Sequence, residues 1–235
     1  MKISIISDLH IVEKNDEGYK TLERFINHQL VQNSEIIIFL GDILDFMVGE
    51  FVEYKKKYDY FFELISKLKD KKVYYFTGNH DFKFKTELFS NEITVLESSL
   101  VIELNKTKIL FAHGDNEEID NPTYKKYKKF IQSDTTQNVV NFLPFSFINF
   151  LGKKASSNSK KRGKKVFNFD KSKEKFREAA ILQFQDGFDV VIFGHSHILD
   201  DFKFNNRRYL NCGYPSQDKK FIHISEEFQG LVSVE

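Results

Sequence analysis

The chain of 235 residues contains no tryptophan, a single cysteine, two methionines and three prolines. One thiol, Cys212, cannot close an internal disulfide, which fits a reducing compartment such as the cytoplasm. With no second thiol, a thiolate metal cage is excluded. Cys212 itself reads as a small buried residue rather than a catalytic thiol. No apolar run reaches the ~20 residues needed to span a bilayer as a helix. The opening MKISIISDLH reaches an aspartate too early to hold the apolar region of a secretory signal.

What is present is phenylalanine, 26 residues of it, within a chain that is 41% hydrophobic and 29% charged. That suffices for one sizeable core with an elaboration, and not for two independent cores. The net charge of +1 conceals a segregation. Between Lys125 and Arg177 there are fifteen Lys/Arg and three acids, a local charge of +12; the remainder carries −11. A solvated lysine-rich loop would show this pattern, and so would a surface that meets an anion.

Short apolar runs alternate with helical spacing through the first third of the chain. KISIIS, EIIIFLGD and KVYYFTGNHD read as buried strands. Two segments between them, about 19–32 and 55–69, place Leu22, Phe25 and Ile26, and Phe61, Ile65 and Leu68, on single helical faces. ITVLES, SLVIEL and TKILFAHGD follow as a meander; DVVIFGHSH, DFKFN, RRYLNCG and KFIHIS resume the strands. These predict a mixed α/β core over 1–116 and 187–235. Residues 117–186 form a separate helical, basic and aromatic insertion. It contains the helical NPTYKKYKKFIQS, the dense FLPFSFINFL broken by Pro144 and Gly152, and a polar low-complexity stretch, KKASSNSKKRGKK.

Five predicted strands end in groups with lone pairs or titratable protons: Asp8-Leu9-His10, Gly41-Asp42, Gly78-Asn79-His80-Asp81, His113-Gly114-Asp115 and Gly194-His195-Ser196-His197. In α/β sheets the C-terminal ends of strands are where sites assemble. A single Asp-x-His means little, but five such ends in one chain argue for one constellation. Carboxylates, imidazoles and an amide oxygen suit divalent ions such as Mn²⁺, Fe²⁺ or Zn²⁺. Alternation along an extended DLH or HSH would direct both members of a pair to a common site. Asp42, beside Gly41, is the natural bridge between two ions. His28 and His223 lack partner motifs and read as structural.

The set DxH, GD, GNHD, H and GHxH, from Asp8 to His197, resembles the calcineurin-like metallophosphoesterase superfamily over most of the chain. The resemblance implies a four-layer α/β/β/α sandwich with two divalent metal ions, Mn²⁺ first among them. One would be held by Asp8, His10, Asp42 and His197, the other by Asp42, Asn79, His113 and His195. It further implies that His80 faces the substrate as a catalytic group and that Asp81 orients His80 from behind.

The N-terminal SDLH, FLGDILDF, GNHDF, the HGD preceding DNPTYKKYKKF, and a basic helical insertion before GHSH together look like the bacterial UDP-2,3-diacylglucosamine diphosphatases of lipid A synthesis. That likeness implies hydrolysis to UMP and 2,3-diacylglucosamine 1-phosphate beneath a helical lid that shelters the acyl chains. Asn79, His80, Asn121, Ser159, Lys164, Lys165 and His195 would touch the substrate. The third motif departs from the best-known branch, which has arginine at the position of His80. A nucleotide-linked glycolipid is thus the expected partner. FLPFSFINFL beside lysines also fits peripheral contact with the cytoplasmic face of the inner membrane. The alternative is a phosphodiesterase or nuclease. A nucleic acid is not the expected ligand, because few aromatics interleave with the lysines as stacking platforms.

Overall fold

The computed structural model describes residues 1–89, 93–117, 122–154 and 169–235. Thirteen strands are named among them: β1 (Ile3–Ile6), β2 (Ile36–Phe39), β3 (Met47–Val48), β4 (Lys72–Phe76), β5 (Asp81–Phe82), β6 (Ile93–Leu96), β7 (Leu100–Leu104), β8 (Thr107–Ala112), β9 (Val190–Phe193), β10 (Leu199–Phe204), β11 (Arg207–Cys212), β12 (Lys220–Ile224) and β13 (Gln229–Ser233). They build a six-stranded sheet ordered β13-β12-β1-β2-β4-β6, a five-stranded sheet ordered β10-β11-β9-β8-β7, and the small pair β3-β5. The fold is mixed α/β.

The continuous apolar runs are explained by where alternate residues go. In β2, Ile36 and Ile38 join one apolar cluster while Ile37 and Phe39 join another. In β9, Val190 and Ile192 join the first of these, and Val191 and Phe193 join a third. A strand buried on both faces has no polar positions to alternate with. The shared cluster contains Ile3, Ile5, Ile38 and Phe76 of the larger sheet and Ile109, Phe111, Ile192 and Leu210 of the smaller, so the two sheets face each other. Helix Glu17–Asn27 and helix Asp59–Ile65 supply Leu22, Phe25, Ile26 and Phe61 to the outer side of the larger sheet. Helix Phe169–Gln185 supplies Phe176, Ala180 and Phe184 to the outer side of the smaller one.

The helical expectations need refinement. The 19–32 segment divides at His28, which caps the following turn by accepting from the Leu30 N–H. The 55–69 segment divides into Tyr54–Lys57, Asp59–Ile65 and a short 3₁₀ turn. Gly152 does not break FLPFSFINFL, because residues 145–154 are helical. A Cβ at Gly152 would lie 2.4 Å from the Phe46 ring, so glycine permits close approach to the core there. Ile148 is buried, and Leu143 and Phe145 pack against the same cluster as Phe51 and Tyr54, whereas Phe142, Phe147, Phe150 and Leu151 are exposed. The apolar stretch therefore divides between core packing and an outward face.

β1, β2 and β4 run parallel in the larger sheet, and β8 and β9 run parallel in the smaller. Their C-terminal ends carry all five motifs to the same edge of the sandwich, as sheet topology requires of loops that follow parallel strands. Phe111 is completely buried between the sheets. Phe111→Ala is expected to lower stability by about 3–5 kcal/mol, seen as a lower urea midpoint at unchanged m-value.

Candidate metal centre

The five loops bring their polar side chains together. Ligand-capable atoms of Asp8, His10, Asp42 and His197 lie within 4.8 Å of one another, and so do those of Asp42, His113 and His195. Asp42 belongs to both groups. Its Oδ2 is 3.9 Å from His10 Nε2 and its Oδ1 is 3.7 Å from His113 Nε2, so each oxygen faces a different cluster. Asn79 Oδ1 lies 3.4 Å from His113 Nε2. On the other side, His10 Nε2 and His197 Nε2 are 2.9 Å apart and His197 Nε2 is 3.4 Å from Asp8 Oδ1.

The route to this convergence differs from strand alternation. Asp8, His10, Asp42, His195 and His197 all have positive φ, between 48° and 64°. Such backbone is uncommon outside glycine and persists where the surroundings hold it. Asp8 and His10 do share a cluster, but His195 and His197 part company, each going to a different one. Backbone hydrogen bonds fix these turns: Asp8 N–H donates to Gly41 O, His10 N–H to Asp42 O, and Gly194 N–H to His113 O.

The carboxylates are anchored by amides. His195 N–H donates to both Asp8 oxygens at 3.0 Å, and His80 N–H donates to Asp42 Oδ1 at 2.9 Å. A Cβ at Gly78 would fall 2.1 Å from Asp42 Oδ1, so only glycine leaves room for the carboxylate there. Burial would push the Asp8 carboxyl up, but His197 and His113 hold it below its ordinary value. Burial would likewise lower the His113 pKa; Asp42, Asp115 and Asp8 overcome it and raise the imidazole to about 9. The surrounding carboxylates thus create a field that favours positive charge. His113 Nδ1 is 2.8 Å from Leu40 O. Since a carbonyl only accepts, Nδ1 carries the proton and Nε2 is turned toward Asp42 and Asn79. Oxygen and nitrogen donors, most of them buried although His197 is exposed, and without thiolates among them, fit two divalent cations of hard or borderline character.

Asp81 requires a correction. Its carboxylate does not stand behind His80. It accepts from the N–H groups of Asp42 (3.1 Å), Ile43 (3.0 Å) and Gly78 (2.8 Å), and from the Tyr75 hydroxyl at 2.5 Å. Burial, with Asp42 nearby, pushes its pKa up to about 7. Asp81 therefore builds the turn that presents Asp42. The His80 ring is set by a different group: its Nδ1 donates to the Asp45 carbonyl at 2.8 Å.

Asn121, Ser159, Lys164 and Lys165 lie outside the described residues. His28 and His223 take structural roles, His28 as a cap and His223 through Ser4 Oγ at 3.0 Å. Cys212 is buried against Ser7 Oγ, and burial pushes its thiol up to about 12. Three residues beside the site were not anticipated. Tyr214 stacks on His197 with ring centroids 5.2 Å apart, Tyr124 lies 5.8 Å from the His195 ring, and Asp45 groups with His10 and His80. Asp45, three positions after Asp42, was the one that the motif spacing could have revealed.

A site of this kind, at the convergent ends of two facing sheets, defines a metallophosphoesterase, a hydrolase of phosphoric esters. Residues 1–199 match the model of the calcineurin-like phosphoesterase family, and the chain belongs to it. Among curated relatives, a UDP-2,3-diacylglucosamine hydrolase of Wigglesworthia glossinidia brevipalpis is 27% identical over 89% of this chain and 84% of its own. A protein of the same name from Haemophilus influenzae is 30% identical over 82% and 81%, respectively. A solved archaeal phosphodiesterase shares the fold with a TM-score of 0.52 at 13% identity, covering 99% of both chains.

Two substitutions test the construction of the Asp42 turn. Gly78→Ala should displace the carboxylate and weaken Mn²⁺ binding by roughly tenfold or more, and Asp81→Asn should weaken it by about 10–100-fold. Calorimetric Mn²⁺ titration, with circular dichroism to verify folding, measures both. Wild-type affinity in Asp81→Asn would show that the turn holds without the charge.

Proposed function

We propose that the protein is a dinuclear metallophosphoesterase that hydrolyses UDP-2,3-diacylglucosamine to UMP and 2,3-diacylglucosamine 1-phosphate. The observation that carries the reading is the joint presence of a complete His/Asp constellation and an aromatic, basic insertion beside it. The length over which the two UDP-2,3-diacylglucosamine hydrolases align supports the choice of substrate. In this reading the packed layers are an α/β/β/α sandwich and residues 117–186 are its lid.

Asp8, His10, Asp42 and His197 would hold one divalent cation, and Asp42, Asn79, His113 and His195 the other. When bound, the pair supplies Lewis-acid charge and an activated water for attack at phosphorus. Asp42 is suited to bridging because its two oxygens face opposite clusters. Asn79 contributes a neutral oxygen, which limits the negative charge gathered at one point. His80 has Nδ1 committed to the Asp45 carbonyl, which leaves Nε2 for the substrate; as the doubly protonated imidazolium its Nε2–H would stabilise phosphoryl charge or pass its proton to the leaving oxygen.

The insertion divides its labour. Phe145 and Ile148 dock on the core, leaving Phe142, Phe147, Phe150 and Leu151 outward as an apolar surface for acyl chains or a membrane interface. Among the described residues no helix is long and apolar enough to cross a membrane, so any membrane contact through them would be peripheral. Lys153 and Lys154, which follow Leu151 in the same helical stretch, would suit the diphosphate or an anionic surface.

Incubation of the Mn²⁺-loaded protein with UDP-2,3-diacylglucosamine beside a simple phosphodiester tests the assignment. UMP release from the lipid nucleotide should dominate; cleavage of the phosphodiester alone would discard the lipid reading. His80→Ala should reduce turnover by about 10²–10⁴-fold while bound Mn²⁺, measured by elemental analysis, stays near two equivalents per chain as in the scheme above. Parallel loss of metal would remove His80 from the substrate side.

A further inference from the structure

Tyr214 belongs to none of the five motifs, yet its ring lies flat against one of their histidines. It stacks on His197 with 5.2 Å between centroids and 12° between planes, and it lies 6.0 Å from the His10 ring. Within the group formed by Asp8, His10, Asp42 and His197, only His197 is exposed. Tyr214 is itself half-buried and stands outside the apolar clusters formed by the described residues, so core packing does not account for its position.

An imidazole that binds a metal needs its ring plane fixed, and the usual means is a hydrogen bond to the second ring nitrogen. His113 follows that rule, with Nδ1 on the Leu40 carbonyl at 2.8 Å. His197 does not. Its close polar contacts among the described residues, to His10 and Asp8, are both made by Nε2. A parallel, offset aromatic neighbour restricts the same rotation from the side of the ring.

The stacking ring is held in its turn. Gly213 has a φ of 73°, and a Cβ there would fall 2.4 Å from Asp218 Oδ2, the oxygen that accepts from the Tyr214 N–H at 2.7 Å. Before the ring, Asn211 Nδ2 donates to Gly194 O at 2.9 Å and to Ser196 Oγ at 3.1 Å. After it, Ser216 Oγ donates to Leu9 O at 3.2 Å. The turn that carries Tyr214 therefore grips the GHSH loop, which supplies His197, and the DLH loop, which supplies Asp8 and His10.

Resting on the two-cation reading above, we propose that Tyr214 is a positioning residue for the cation assigned to Asp8, His10, Asp42 and His197. Its ring keeps the exposed His197 imidazole in a ligating orientation, and the turn from Asn211 to Ser216 fixes that ring relative to Asp8 and His10.

Equilibrium dialysis of the full chain against Mn²⁺ counts the bound ions and ranks their affinities. Wild type should bind two. Tyr214→Ala and Tyr214→Leu should each bind one ion as wild type does and the other about three- to tenfold more weakly. Tyr214→Phe keeps the ring and should stay within about twofold at both ions. Leucine fills space without a ring, so wild-type affinity in Tyr214→Leu would reduce Tyr214 to filler and overturn the proposal. Unchanged affinity in Tyr214→Ala, loss in Tyr214→Phe, or equal weakening at both ions would overturn it as well. All three variants should keep the wild-type unfolding midpoint in the absence of metal; weakening that tracks a lowered midpoint marks lost fold and counts against the role. Fewer than two ions in wild type would remove the two-cation reading and this role with it. Two ions in wild type, with every variant unaffected, would remove Tyr214 alone.

Discussion

The buried carboxylate of Asp42 is the constraint around which the site is built. It is 1% exposed and faces imidazoles on both sides. An isolated carboxylate in such a place would be costly, so the surrounding chain must hold and compensate it. Three loops do so. The His80 amide donates to Oδ1, the missing side chain at Gly78 clears space for that oxygen, and Asp81 grips the amides of Asp42 and Ile43. Tyr75, buried in the strand below, steadies Asp81 in turn. Order thus passes from the apolar sheet through one neutral phenol and one carboxylate to the group that is shared by both clusters.

The price of this convergence is backbone strain. Five of the side chains that meet at the site stand on residues in the left-handed region, where a side chain is disfavoured. A strand end in ordinary extended geometry would send the two histidines of GHSH toward one face. The left-handed turns instead give one imidazole to each cluster. The turns hold because the sheets beneath them are packed on both faces and because backbone hydrogen bonds tie one loop to the next.

The helical residues between Asp134 and Lys154 meet the rest of the chain near the same loops. Lys57 reaches from the core to Asn149 Oδ1 at 2.8 Å with its ammonium over the Tyr58 ring, and Asn141 Oδ1 accepts from the Glu50 amide. β3, in the loop so engaged, pairs with β5, which begins at Asp81. The segment that holds Asn141 is therefore joined to the GNHD loop through a two-stranded pair.

Much of the molecule was legible in the chain. Runs such as EIIIFLGD and DVVIFGHSH announced strands buried on both sides, because no polar alternation interrupts them, and the polar groups at their ends announced a common edge. That the polar strand ends from Asp8 to His197 would meet could be read from the chain, because topology obliges parallel strands to deliver their loops to one place. Other features had no local signature. The role of Asp81 depends on which amides come within reach from residues almost forty positions away, and its neighbour His80 is set by a carbonyl rather than a side chain. The division of FLPFSFINFL between buried and outward rings and the fit of Gly152 against Phe46 arise only when distant segments meet. Sequence alone determined the strands, the ligand types and the class of chemistry, since these follow from hydrophobic pattern and donor identity. Tertiary structure decided which atom faces which, because hydrogen bonds and close approaches are set by the packing of segments that the chain keeps far apart.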